Sequence, residues 1–118
     1  MINEQHSDFT RDDIVDSMRK VQQENPYLNC RLAVQLTVGR PSIESLPKIS
    51  FSNIEIGDII AWSNYRHFAL WVGDGHIVQV GGWGESVAIE KYSEVLDYWG
   101  EPESFFQHPA RIQSNHLA

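Results

Sequence analysis

The 118-residue chain has one cysteine, Cys30, so no disulfide can form within it, and its sulfur is left as a buried apolar residue, a metal ligand or a reactive thiol. Basic residues are scarce as well. Nine Lys and Arg stand against 16 Asp and Glu, a formal net charge of -7, and no basic cluster interrupts that balance. Such a surface repels a nucleic-acid backbone, so nucleic acid is not an expected partner. Long apolar runs are missing too: nothing approaches the roughly 20 consecutive residues that span a bilayer. The start, "MINEQHSDFTRDD", lacks the basic segment and apolar run of a secretion signal. The expectation is synthesis in the cytoplasm without a signal peptide and without a membrane partner. Delivery by a phage, a secretion system or lysis leaves no mark in a sequence and stays open. Internal repeats and low-complexity segments are absent.

What remains is the composition of a globular protein, 42% hydrophobic with four tryptophans, at a length that buries one core. A single domain over 1–118 is expected, with polar termini at about 1–9 and 112–118. "TRDDIVDSMRKVQQ" reads as a first helix, capped by Thr10 with Asp13 three residues on and stopped before Pro26. "NCRLAVQLTVG" reads as a second, with Leu28, Leu32 and Leu36 on its apolar face and Gly39 and Pro41 ending it. Ile59-Ile60-Ala61-Trp62 suits a buried strand, and "HFALWVGDGHIVQV" suits two strands around Gly73-Asp74-Gly75. "SVAIEKY" predicts another strand, Ser93 to Tyr98 a short helix, and "SFFQHPARI" a last strand or two. Helices come first and an antiparallel sheet follows, so the fold class is α+β.

Cys30 falls in the first turn of the second helix. Free backbone N–H groups and the positive end of the helix dipole stabilise a thiolate there, and the same N–H groups can hold the oxyanion of an acyl-transfer intermediate. A thiol nucleophile also needs an imidazole as general base and a third polar group to orient that imidazole. The plainer reading of Cys30 is a small buried residue on an apolar helix face.

The hairpin offers two histidines. A three-residue loop, Gly73-Asp74-Gly75, sets Ala69 opposite Gln79 and puts His67, Ala69, Trp71, Ile77 and Gln79 on one face. A two-residue Asp74-Gly75 turn shifts the register by one and sends Gln79 to the other face. The three-residue loop is the expectation, with His67 and Gln79 in side-chain reach and His76 a solvated residue at the turn.

Cysteine at a helix start, then "GDIIAW", then "HFALWVGDGHIVQ" resembles the NlpC-type papain-like cysteine peptidases, the cell-wall endopeptidases of bacteria and their phages. The resemblance spans about Asn29 to Lys91. It implies a papain-like fold with N-terminal helices on an antiparallel sheet, hydrolysis of an amide bond in peptidoglycan stem peptides, and no cofactor or metal. It also implies roles: Cys30 as nucleophile, His67 as general base and acid, and Gln79, twelve positions on, as the residue that orients the imidazole, its side-chain oxygen expected to accept from Nδ1 so that Nε2 faces Cys30. The family's aspartate before the cysteine and Ser-Gly after it are here Asn29 and Arg31-Leu32, and its upstream tyrosine has no counterpart, since Tyr27 is only three residues away.

Two further readings come from other classes. One is acyl transfer or deamidation as in transglutaminase-like relatives, whose third residue is usually an aspartate; the other is a degenerate domain that binds a peptide or protein partner without catalysis. Cys30, His67 and His76 have no compact zinc-ligand spacing. Trp83, between glycines in "GGWGE", is read as lining the cleft and touching substrate, and the other tryptophans as core or cleft wall. His108 and His116 are read as surface residues.

Overall fold

Thr10 opens the first helix in extended conformation, its hydroxyl accepting from the Asp13 amide while the Asp13 carboxylate accepts from the Thr10 amide. This reciprocal cap satisfies two orphan donors and starts α1, Arg11–Glu24, which buries Ile14, Val15 and Met18. The structure is a computed structural model and describes residues 8–39, 42–62, 64–81 and 86–111. Asn29 caps α2, Cys30–Val38, by accepting from the Leu32 amide, and Gly39 ends it in the left-handed conformation.

The face that α2 buries is Cys30, Ala33, Val34 and Val38, not the leucine stripe expected from the sequence. Leu32 and Leu36 are 40% and 48% exposed, and only Leu28, before the helix, is buried. Two stripes of the same period compete on this short helix. The smaller one lets the axis approach α1 and the sheet closely, so it takes the core side.

The strands are β1 (Lys48–Ile49), β2 (Ile59–Trp62), β3 (His67–Gly73), β4 (His76–Val80), β5 (Val87–Lys91) and β6 (Ser104–Phe106), with α3 (Tyr92–Trp99) between the last two. They form one sheet in the order β1-β6-β2-β3-β4-β5, antiparallel throughout. The fold is α+β. β1, too short to show a period, pairs with β6 and has no clear sequence signal. Side chains alternate across the sheet. Phe68, Leu70, Val72, Val78 and Val80 join α1 and α2 in the larger core, while Ile60, Trp62, Ala69 and Ile77 meet Val95 of α3 on the other face.

The β3–β4 turn corrects the expected loop. Gly73 pairs with His76, so the loop is the two residues Asp74 and Gly75, both left-handed at φ 53° and 72°. That is the geometry favoured for a tight hairpin. The register is nonetheless kept, because the ladder shifts by one between Trp71 and Gly73. The extra residue is a bulge in β3, and Leu70 still faces Val78 and Trp71 faces Ile77. Gln79 stays on the face of His67.

Behind the sheet end, Asp58 is fully buried; its carboxylate accepts from the amides of Glu55 and His108 and pairs with the Arg111 guanidinium. His108 is therefore buried, not a surface residue, and its ring lies 4.7 Å from that of Phe9. Gly57 before Asp58 has φ 98°, and a Cβ there meets Phe9 and Ile14 at 3.1 and 3.3 Å, which explains a glycine in this strand lead-in. No helix among the described residues is long and apolar enough to cross a membrane.

Candidate active site

The site starts from the N-terminus of α2. Cys30 is its first residue and 9% exposed, and its thiol donates to the Arg66 carbonyl at 3.4 Å. With the Leu32 amide taken by Asn29, the amides of Cys30 and Arg31 have no partner among the described residues. Arg31 turns away, its guanidinium bound to both oxygens of Glu44 at 2.7 and 2.8 Å and lying 5.0 Å over the Phe68 ring.

His67 opens β3 and is 2% exposed. Its ring stacks on Trp99 at 4.5 Å and 9° and is flanked by Trp62 at 5.5 Å. Nε2 lies 2.6 Å from Gln79 Oε1, and Gln79 Nε2 in turn donates to Glu90 of β5. This chain assigns the protons. A carboxylate only accepts, so the Gln79 amide turns its NH2 to Glu90 and its oxygen to His67. Nε2 must then carry the imidazole proton, which leaves Nδ1 with its lone pair and no hydrogen-bond partner among the described residues. Reasoning from sequence expects the opposite ring nitrogen on Gln79. The strand geometry decides the matter: at the diagonal position across β3–β4, the far end of the ring is the part that Gln79 reaches. Burial pushes His67 below its ordinary value, against the smaller upward effects of the Gln79 hydrogen bond and the Glu90 charge. The ring is therefore neutral at neutral pH.

A cavity of about 350 Å³ opens beside this chain, lined by His67, Gln79, Glu90, Glu94, Tyr98 and Trp99 among others. Glu90 is the contact that sequence reasoning missed, while Trp99, read from sequence as core or cleft wall, lines the cavity and stacks on His67. Gln79 faces Ala88 and Ile77 faces Glu90 across β4–β5, so Glu90 is a diagonal neighbour of Gln79. Pairing "SVAIEKY" with the hairpin in that register is the signal that finds it.

The structure brings His67 and Gln79 together and sets Cys30 beside them without joining them. The thiol rests on the carbonyl bonded to the His67 amide nitrogen, at the base of the histidine rather than at its ring. Among the described residues no hydrogen bond links Cys30 to His67. His76 binds the Asp74 carbonyl at 2.7 Å and lies 3.5 Å from Arg11, within the turn. Trp83 and His116 lie outside the described residues. Nor do three of His, Cys, Asp and Glu gather anywhere among those residues so as to hold a metal ion.

No family model matches this chain, and no curated protein does. Among solved structures it is similar to the crystal structure of the NlpC/p60 domain of the peptidoglycan hydrolase SagA. The TM-score is 0.57 at 20% identity, over 83% of this chain and 98% of that one. The fold is NlpC-like. At that identity the likeness concerns architecture: an NlpC-like sheet with a helix whose first residue is Cys30, and with His67 at the head of a central strand.

Proposed function

We propose that the protein is a cysteine hydrolase that cleaves an amide bond in bacterial cell-wall peptides. The observation that carries this reading is the buried hydrogen bond from His67 Nε2 to Gln79 Oε1, which leaves Nδ1 as a free base in a fold of NlpC type. The similar domain belongs to SagA, a peptidoglycan hydrolase, which supports the choice of substrate.

In the proposed reaction the Cys30 thiol turns from the Arg66 carbonyl to His67 and gives its proton to Nδ1. The thiolate attacks the amide carbonyl, and the backbone amides of Cys30 and Arg31 at the start of α2 hold the oxyanion. His67 then protonates the leaving nitrogen. A thioester remains on Cys30, and water releases it after giving a proton to Nδ1, which passes back to sulfur. Gln79 keeps the ring in one tautomer and accepts from it throughout.

Incubation of purified peptidoglycan with the protein, followed by mass analysis, tests this. New fragments carrying added water are expected from the wild type and none from Cys30→Ala. A second reading, a peptide-binding domain without catalysis, is favoured by one observation, the thiol's bond to Arg66 in place of the imidazole. It predicts peptidoglycan pull-down without fragments. Fragments of equal yield from Cys30→Ala overturn the hydrolase reading.

A further inference from the structure

A neutral third residue poses a problem that the neighbouring strand answers. An imidazole that takes a proton from a thiol becomes a cation, and a glutamine opposite it offers a dipole where a carboxylate offers a charge. An unrestrained glutamine amide is also ambiguous, since either end can face the ring. In this fold the far end of Gln79 meets Glu90, a half-buried residue of β5.

We infer that Glu90 is a positioning residue: it fixes the Gln79 amide with its oxygen toward His67 and supplies, through that amide, the negative charge that Gln79 lacks. The inference rests on the proposed roles of Cys30, His67 and Gln79. Three observations carry it. Glu90 accepts from Gln79 Nε2 while Gln79 Oε1 meets His67 Nε2, so the three side chains form one directed relay from strand to strand. The carboxylate is not neutralised: among the described residues the ion pairs join Arg31 to Glu44 and Arg111 to Asp58, and none engages Glu90. The same carboxylate lines the cavity beside His67, where no Lys or Arg of the described lining opposes it.

Other groups face the ring from the surrounding elements. Trp62 comes from β2, Gln79 from β4 and Trp99 from α3; Glu94 and Tyr98 of α3 line the shared cavity, and the Cys30 thiol sits at the start of α2. Of the charged ones, Glu90 is the group whose charge raises the affinity of His67 for a proton, against its burial. A cross-strand contact that serves only to hold β5 to β4 has no such effect on the ring.

The test reads His67 directly in the full chain, by the ¹⁵N shifts of its ring nitrogens across a pH titration, for the wild type, Glu90→Gln, Glu90→Asp and Glu90→Leu. The expected wild-type state is the Nε2–H tautomer. In Glu90→Gln the titration moves to lower pH, because the charge is gone and burial acts unopposed; Glu90→Asp, which keeps the charge, stays nearer the wild type. In Glu90→Leu the two tautomers mix, because nothing holds the Gln79 amide. On peptidoglycan, Glu90→Gln lowers kcat about three- to tenfold with little change in KM, as expected for an electrostatic contribution made to the imidazolium. Glu90→Gln is isosteric and Glu90→Asp is shorter by one methylene at a partly buried position, so both keep the test open if Glu90→Leu fails to fold. An unchanged titration and tautomer in folded Glu90→Gln overturns the inference. A shifted titration without any hydrolysis by the wild type leaves the relay standing and removes the catalytic reading instead.

Discussion

Replacing Gln79 by leucine keeps the volume of the side chain and deletes both ends of its amide. His67 Nε2–H then loses its acceptor in a site where the ring is 2% exposed, so water does not readily replace it. In the resting state this is a neutral buried donor left unpaired, worth about 1–3 kcal/mol of folding stability. In the transition state the same donor belongs to an imidazolium, and a hydrogen bond to a charged group is worth about 1.5–3 kcal/mol. Only the excess over the resting-state loss slows the reaction; with that loss at about 1 kcal/mol the excess is about 0.5–2 kcal/mol, and since 1.36 kcal/mol is tenfold in rate, kcat falls about two- to 30-fold. KM should change little, because Gln79 acts on the ring rather than on the scissile bond. Gln79→His and Gln79→Asn, which can still accept a hydrogen bond, should retain more activity than Gln79→Ala. The assay is steady-state release of peptide from peptidoglycan, with urea denaturation of each variant beside it. If Gln79→Leu turns over like the wild type, Gln79 does not orient His67, and the thiol and imidazole work as a dyad.

Trp99→Ala removes the indole stacked on His67 and lets water reach the ring, so the histidine should titrate at higher pH than in the wild type, as NMR can follow. The sign for stability follows from the same burial. The folded state holds His67 below the 6.5 of a free histidine, so the unfolded chain binds the proton first. Stability is undisturbed above pH 6.5 and drops as pH falls through it, a drop that Trp99→Ala should lessen in urea midpoints taken at successive pH values. Asp58→Ala removes the carboxylate that pairs with the buried Arg111 guanidinium and accepts from two amides, and should cost about 3–5 kcal/mol, read from chemical denaturation. On α2, Ala33→Leu overfills the core and should cost about 1–3 kcal/mol, whereas Leu36→Gln on the exposed face should stay within about 0.5 kcal/mol.

Local chemistry made much of the fold readable. Thr10 with Asp13 marks the start of α1, Asn29 and Gly39 bound α2, and the β-branched Ile59-Ile60 after Gly-Asp marks a central strand. Alternation in the hairpin places His67 and Gln79 on one face, and the bulge shows why that held although the turn has two residues. The insertion sits in β3, where no residue type announces it. Pattern alone could not choose between the stripes of α2, because only the approach of α1 and the sheet decides which is buried. His108 looked exposed for a similar reason: its burial depends on Phe9 and on a carboxylate fifty residues earlier in the chain. Glu90, and the stacking of Trp99 on His67, were hidden because β5 and α3 reach His67 through tertiary pairing. The choice of ring nitrogen, expected as Nδ1 on Gln79, came out reversed, since it follows from which end of the imidazole crosses to β4.

The account turns on whether His67 activates Cys30, and the chain's single thiol makes that directly measurable. Alkylation of Cys30 by iodoacetamide, timed by mass spectrometry from pH 5 to pH 9 in the wild type and in His67→Ala, needs no substrate. The account predicts rapid labelling of the wild type at neutral pH and a rate at least about tenfold lower in His67→Ala, with His76→Ala labelling like the wild type. Slow labelling that is the same with and without the His67 imidazole contradicts it, and identifies Cys30 as a buried thiol resting on Arg66.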